Sequence, residues 1–190
     1  MAVPTIDDLR QIFRARGSEQ YDGEPVSHLE HALQSAHLAE QADATPELIT
    51  ACLLHDIGHL RSRRAGTPTL DGVDDTHQRL GAMYLRGLFP PAVTDAIRLH
   101  VDAKRYLCCV DAGYHERLSE DSRRSLVLQG GIFSEEQANA FIVQPGARDA
   151  VNLRVWDDRA KQTDLRTPSL EHFLAYAERC RLGGSDREVA

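Results

Sequence analysis

The residues with the plainest chemical meaning are His55 and Asp56, adjacent in the run LLHDIGH. They follow an apolar helical stretch, Ile49 to Leu54. Burying an imidazole and a carboxylate there without partners would be costly, and coordination to a metal is one way to satisfy both. Three more histidines stand where a helix could turn them toward such a site. His31 lies on the helix behind Ser27, His77 opens a helix after a loop, and His100 sits near a helix end in RLHVDAKRYL. Asp157, in RVWDDRAK, completes the series, with Asp158 beside it as a second acid of the same type. Imidazole and carboxylate together suit iron, manganese or zinc, and six such ligands suit two octahedral ions that share a bridging carboxylate. The chain has nine histidines. His28, His37, His115 and His172 have no comparable setting and read as surface or hydrogen-bonded residues.

The elements that must position these groups are helices throughout. Thr5 caps a helix that starts at Ile6, with Asp7 and Asp8 in its first turn and Gly17 closing it. Ser27 followed by Glu30 is a capping box, and Leu29, Ala32, Leu33, Ala36 and Ala39 then share a face. Thr45-Pro46-Glu47 is a third start. Residues 61–75 collect basic residues, Gly66, Pro68, Gly72 and three aspartates and form a loop. A helix follows from about Thr76 to Leu88 and stops at Pro90-Pro91, where the next begins. Further helices start at Ser119, at the Ser134–Gln137 capping box, near residue 148 and at Pro168-Ser169. Strand-like alternation is scarce, and there is no internal repeat. The expected fold is all-α, a compact bundle of seven to nine helices, forming a single domain over 1–190 with a frayed tail at 183–190.

Bulk properties bound the function. The chain of 190 residues is 42% hydrophobic and 27% charged, an ordinary globular composition, and its net charge of −7 argues against a general nucleic-acid binder. No apolar run approaches the roughly 20 residues needed to cross a bilayer, and Met1 to Arg16 lacks a secretory core. Cys52, Cys108, Cys109 and Cys180 form no CxxC pair and read as reduced thiols. The expectation is a cytoplasmic protein that engages neither nucleic acid nor membrane.

The order His31, His55-Asp56, His77, His100 and Asp157 resembles the HD superfamily, and the two intervening histidines resemble its binuclear branch. That branch holds phosphodiesterases and mixed-valent diiron oxygenases. The stretches YDGEPVSHLEHALQSA, LLHDIGH, HVDAKRYL, LSEDSRRSLVLQGG and RVWDDRAK are similar to the diiron oxygenases that cleave phosphonates. The likeness runs from about residue 18 to about residue 180, and HVDAKRYL with LQGG is far more specific than the HD doublet. The resemblance implies one iron on His31, His55, Asp56 and Asp157, and a second on Asp56, His77 and His100, with Asp56 bridging. It implies that Tyr21 covers one iron before substrate arrives and that Glu24 meets a cationic nitrogen of the substrate. His59, Lys104, Ser122 and Arg154 match residues around the phosphonate. Gln129 matches the family too, or simply closes a helix.

Spacing agrees in kind. Lys104 lies four residues after His100, Arg154 three before Asp157 and His59 four after His55, each about one helical turn from a candidate ligand. A dianionic phosphonate needs such donors. The implied reaction is oxidative cleavage of a carbon–phosphorus bond, with O2 as co-substrate and a small hydroxyphosphonate as partner. The substrate would be 1-hydroxy-2-(trimethylammonio)ethylphosphonate or 2-amino-1-hydroxyethylphosphonate, giving phosphate and glycine betaine or glycine. Tyr21, Asp22 and Glu24 offer an aromatic face and negative charge, which favours the quaternary nitrogen. The alternative is an HD-type phosphohydrolase acting on a nucleotide or phosphodiester through a metal-bound hydroxide. It has no stated need for Tyr21, Glu24 or the Lys104 and Arg154 pair.

Overall fold

Side-chain caps decide where the helices begin. Thr5 opens α1 (Ile6–Arg16) through a capping box with Asp8, and Ser27 opens α2 (His28–Gln41) through one with Glu30. Each satisfies N–H groups that a first helical turn otherwise leaves without partners. Thr45 and Pro46 start α3 (Pro46–Leu54). In the computed structural model, which describes residues 3–21, 23–62 and 68–183, the chain continues through α4 (Ile57–Arg61), α5 (His77–Leu85), α6 (Pro91–Val110), α7 (Tyr114–Arg117), α8 (Glu120–Leu128), α9 (Glu135–Ile142), α10 (Ala147–Arg159) and α11 (Leu170–Cys180). A 3-10 turn at Pro68–Asp71 interrupts the loop before α5. Among the described residues only isolated bridges are seen in place of strands. Residues 63–67 of the predicted loop and 184–190 of the predicted tail lie outside the described residues.

The fold is all-α and compact, as expected, but has eleven α-helices among the described residues rather than seven to nine. The excess is short: α4 has five residues and α7 four. The helix expected to reach Leu88 ends at Leu85, because Gly87 at φ 89 turns the chain and sends Leu88 and Phe89 into the core.

The centre of the molecule is α3. Every residue from Leu48 to Leu54 is buried, and α2, α6, α10 and α11 pack around it. Burial of each large aliphatic side chain is worth about 1.5–3 kcal/mol, so this helix is held firmly. Its last turn therefore delivers His55 and Asp56 to the middle of the bundle. Asp56 sits at φ −102, ψ 13 and caps nothing, although it stands in the N-cap position of α4. Its carboxylate is used elsewhere.

Candidate metal centre

Four helices and the break between two others meet at a single point. His31 comes from α2, His55 and Asp56 from the α3–α4 break, His77 from the start of α5, His100 from α6 and Asp157 from α10. His31, His55, His100 and Asp157 are almost inaccessible to solvent, and Asp56 and His77 are buried as well. The side chains form two groups, His31 with His55 and Asp157, and Asp56 with His77 and His100. Asp56 joins them. Its Oδ2 lies 3.4 Å from His55 Nε2 and 3.8 Å from His31 Nε2, while its Oδ1 lies 3.3 Å from His77 Nε2 and 3.7 Å from His100 Nε2. Asp157 Oδ1 closes the first group at 3.2 Å from His31 Nε2.

The hydrogen bonds behind these atoms show what the inward-facing ones are for. His31 Nδ1 donates to Ala160 O at 2.8 Å, His55 Nδ1 to Cys52 O at 2.8 Å and His100 Nδ1 to Ile97 O at 2.7 Å. His77 Nδ1 donates to Asp75 Oδ1 at 2.9 Å. Carbonyl and carboxylate oxygens only accept, so each neutral ring carries its proton on Nδ1 and turns a lone pair inward from Nε2. Facing Nε2 atoms approach to 3.2 Å between His31 and His55 and to 3.1 Å between His77 and His100. Opposed lone pairs at such distances call for a cation between them. Asp157 Oδ2 accepts from Arg154 Nη1 at 2.7 Å, but Asp157 Oδ1 and both Asp56 oxygens are buried and meet no hydrogen-bond donor.

The local field favours positive charge in the same way. Burial alone would discharge His55, yet Asp56 and Asp157 raise its pKa to about 10, so its Nε2 draws a proton to the place a metal ion would take. Burial would protonate Asp56 and Asp157, yet the histidines, and for Asp157 chiefly Arg154, hold both well below the carboxylate range. His100 is kept neutral by burial and by His77 and His55. Four imidazoles and two carboxylates, each anchored at its far end, fit two hard-to-borderline ions with Asp56 between them.

A cavity opens on this cluster. Its lining includes Tyr21, Asp56, His59, His77, His100, Lys104, Ser122, Gln129, Arg154 and Asp157. Lys104 is 2% exposed and donates from Nζ to Ser125 Oγ at 2.6 Å. Burial, with Arg154 next, lowers its pKa to about 7. Arg154 is held by Asp157, by Tyr114 at 3.2 Å, by Ser122 at 3.3 Å and by Asp158. A guanidinium has five N–H groups, so a second Nη1–H remains for a ligand. Tyr21 stacks on His31 with ring centroids 4.1 Å apart.

Some expectations change in detail. His59 does not share a helix face with His55, because the helix breaks at Asp56; its ring stacks on His77 instead, 3.9 Å away. Glu24 is absent from the cavity wall and is ion-paired with Lys161 Nζ at 2.9 Å. Asp22 lies outside the described residues. His28, read as a bland residue, is buried, packs edge-on to Tyr21 and near His59, and is kept neutral with a pKa of about 4 by burial and His59. Arg105 is half-buried and donates to the carbonyls of Gly131 and Gly130. Asp75, Tyr114 and Lys161 were not singled out in the sequence, and Asp158 only as an acid equivalent to Asp157. Asp75 and Asp158 differ from other aspartates only in their neighbours in space.

A helical bundle that gathers H…HD…H…H…D around one shared aspartate is the arrangement of an HD domain, and the HD domain family model matches residues 28–129. The chain is 43% identical over 175 residues to the (1-hydroxy-2-(trimethylamino)ethyl)phosphonate dioxygenase (glycine-betaine-forming) of Leisingera caerulea, covering 92% of this chain and 89% of that one. It is 44% identical over 176 residues to the hydroxymethylphosphonate dioxygenase of Gimesia maris, covering 92% and 87%. The chain therefore belongs to the HD-domain family and, within it, to the hydroxyphosphonate dioxygenases.

Proposed function

We propose that this protein is a cytoplasmic diiron dioxygenase that cleaves the C–P bond of a small 1-hydroxyphosphonate. The substrates favoured are 1-hydroxy-2-(trimethylammonio)ethylphosphonate and 2-amino-1-hydroxyethylphosphonate, with phosphate and glycine betaine or glycine as products. The observation that carries this reading is the cationic wall of the cavity: Lys104 and Arg154, both buried, stand on the same cavity as the paired ligand clusters. A buried ammonium has a use where a dianion must be bound next to a metal centre.

His31, His55, Asp56 and Asp157 would hold one iron, and Asp56, His77 and His100 the other. The chemistry supplied by a mixed-valent iron pair is the reduction of O2 coupled to oxidation of the hydroxyl-bearing carbon. The balance closes with one O2: the C–H and C–P bonds of that carbon break, O2 accepts the four electrons, and the products are a carboxylic acid and phosphate. The chain's own residues bind and orient. Lys104, Arg154, Ser122 and His59 take the phosphonate oxygens, fixing the carbon over Asp56. Tyr21, stacked on His31, covers the first ligand group and shields it from water until substrate enters. The Glu24 carboxylate is held by Lys161, whose Nζ stands 5.9 Å from the centre of the Tyr21 ring; a substrate ammonium would compete with Lys161 for it.

The test is oxygen uptake and phosphate release by iron-loaded enzyme with the trimethylammonio, amino and hydroxymethyl phosphonates, compared by kcat/KM. One O2 consumed per phosphate is expected. Phosphate release without oxygen uptake would identify a hydrolase instead. A clear preference for hydroxymethylphosphonate would keep the reaction and remove the role of Glu24 toward a nitrogen.

A further inference from the structure

We propose that Asp75 is a positioning residue that fixes His59 and His77 as a pair, one carboxylate oxygen holding the Nδ1–H of each ring. Asp75 belongs to a loop for which the sequence suggests no chemistry. Its Oδ1 accepts from His77 Nδ1 at 2.9 Å and from the His77 backbone N–H at 3.2 Å. Its Oδ2 lies 2.7 Å from His59 Nδ1. With both Nδ1 protons spent outward, both Nε2 atoms turn toward Asp56 Oδ1, at 3.3 Å from His77 and 3.9 Å from His59. One carboxylate thereby sets the tautomer and the ring plane of a candidate ligand for the second ion and of a candidate phosphonate contact.

The backbone is built around this clamp. Gly58 precedes His59, and a Cβ there would stand 2.1 Å from His77 O. Only glycine lets α4 approach the start of α5 closely enough for the two rings to stack at 3.9 Å. Thr76, between Asp75 and His77, sits at φ 52, a conformation that a β-branched residue adopts only where its surroundings dictate it. That turn brings the Asp75 carboxylate back onto the ring two residues ahead. The pair of imidazole donors also keeps the Asp75 carboxyl ionised, well below its ordinary range, against the effect of burial. The same three side chains lie close enough to be read as a further ion site. His77 would then need both ring nitrogens on metals, and a neutral imidazole has one lone pair to give.

The proposal rests on the reading that His77 and His100 hold a second ion. Anaerobic Fe(II) titration against a competing chelator, on wild type and Asp75→Asn, tests it. Asparagine keeps the shape but replaces one acceptor oxygen with a donor. The expected result is that the second equivalent of iron binds about ten- to a hundredfold more weakly, the range for loss of a ligand-orienting partner. The first equivalent should be unchanged, and exposed Asp71→Asn should match wild type. Two iron equivalents bound with undiminished strength by Asp75→Asn would overturn the role of Asp75 alone, as would equal weakening of both equivalents. A third wild-type equivalent that the variant loses would make Asp75 an ion ligand instead. A wild type with a single equivalent would overturn the two-ion reading and this proposal with it. Should the variant fail to fold, histidine side-chain 15N spectra of zinc-loaded wild type decide: Nδ1-protonated rings are expected at His59 and His77, and an Nε2-protonated His59 would refute the clamp.

Discussion

Replacing Lys104 by methionine should stabilise the protein while crippling it. The Lys104 side chain is nearly the most completely buried of the charged groups, at 2% exposure. Burial first, and Arg154 second, bring its pKa from 10.5 to about 7. Between those two values the unfolded chain holds a proton that the folded chain has released, so wild-type stability rises with pH across that window and is lowest below it. At ~1.36 kcal/mol per pH unit, the gap corresponds to a ceiling on the order of 4 to 5 kcal/mol at acid pH. Methionine fills similar space without charge, and Ser125 Oγ keeps its bond to Ser122 O at 3.1 Å. Lys104→Met should therefore melt higher at pH 6, by up to roughly 8–20 °C for a chain of this size, with the difference fading toward pH 10. Its kcat/KM for a hydroxyphosphonate should fall about ten- to a hundredfold, because a charge-assisted hydrogen bond worth ~1.5–3 kcal/mol is gone. Calorimetry at pH 6, 8 and 10, beside oxygen-uptake kinetics, checks both halves. A variant that melts lower than wild type at pH 6, or one with unchanged kcat/KM, would refute the reasoning.

Two further outcomes follow from the same geometry. Tyr21 stacks on His31 and lines the cavity, so oxidised, substrate-free enzyme should show a tyrosinate-to-ferric absorption band that substrate bleaches and Tyr21→Phe lacks; an unchanged spectrum in the variant would remove Tyr21 from the metal. Gly58→Ala places a Cβ 2.1 Å from His77 O, and overpacking of this kind costs about 1–3 kcal/mol. Thermal melts should show that loss together with reduced iron content, and a variant with wild-type stability and full iron would contradict the tight approach of α4 to α5.

Local chemistry made much of this protein legible from its residues alone. Helix starts at Thr5, Ser27, Thr45, Ser134 and Ser169 depend on side chains that reach only three residues ahead, and the six candidate ligands stand out by type and by order. The buried settings of Lys104 and Arg154 follow from their spacing to His100 and Asp157, because α6 and α10 run unbroken through both pairs. The same logic fails for His59, since the helix breaks at Asp56 between it and His55. What only the tertiary structure decided are the pairings between distant segments. Glu24 meets Lys161 across 137 positions, and Gln34 clasps the backbone of Gln162 beside the Ala160 carbonyl that orients His31. Asp157 and its neighbour Asp158 are equivalent in sequence. The roughly 100° between successive residues on α10 gives the first an oxygen facing His31 and leaves the second on Arg154 and Tyr114. A carboxylate's role depends on which donors converge on it, and convergence is a property of packed helices rather than of position along the chain.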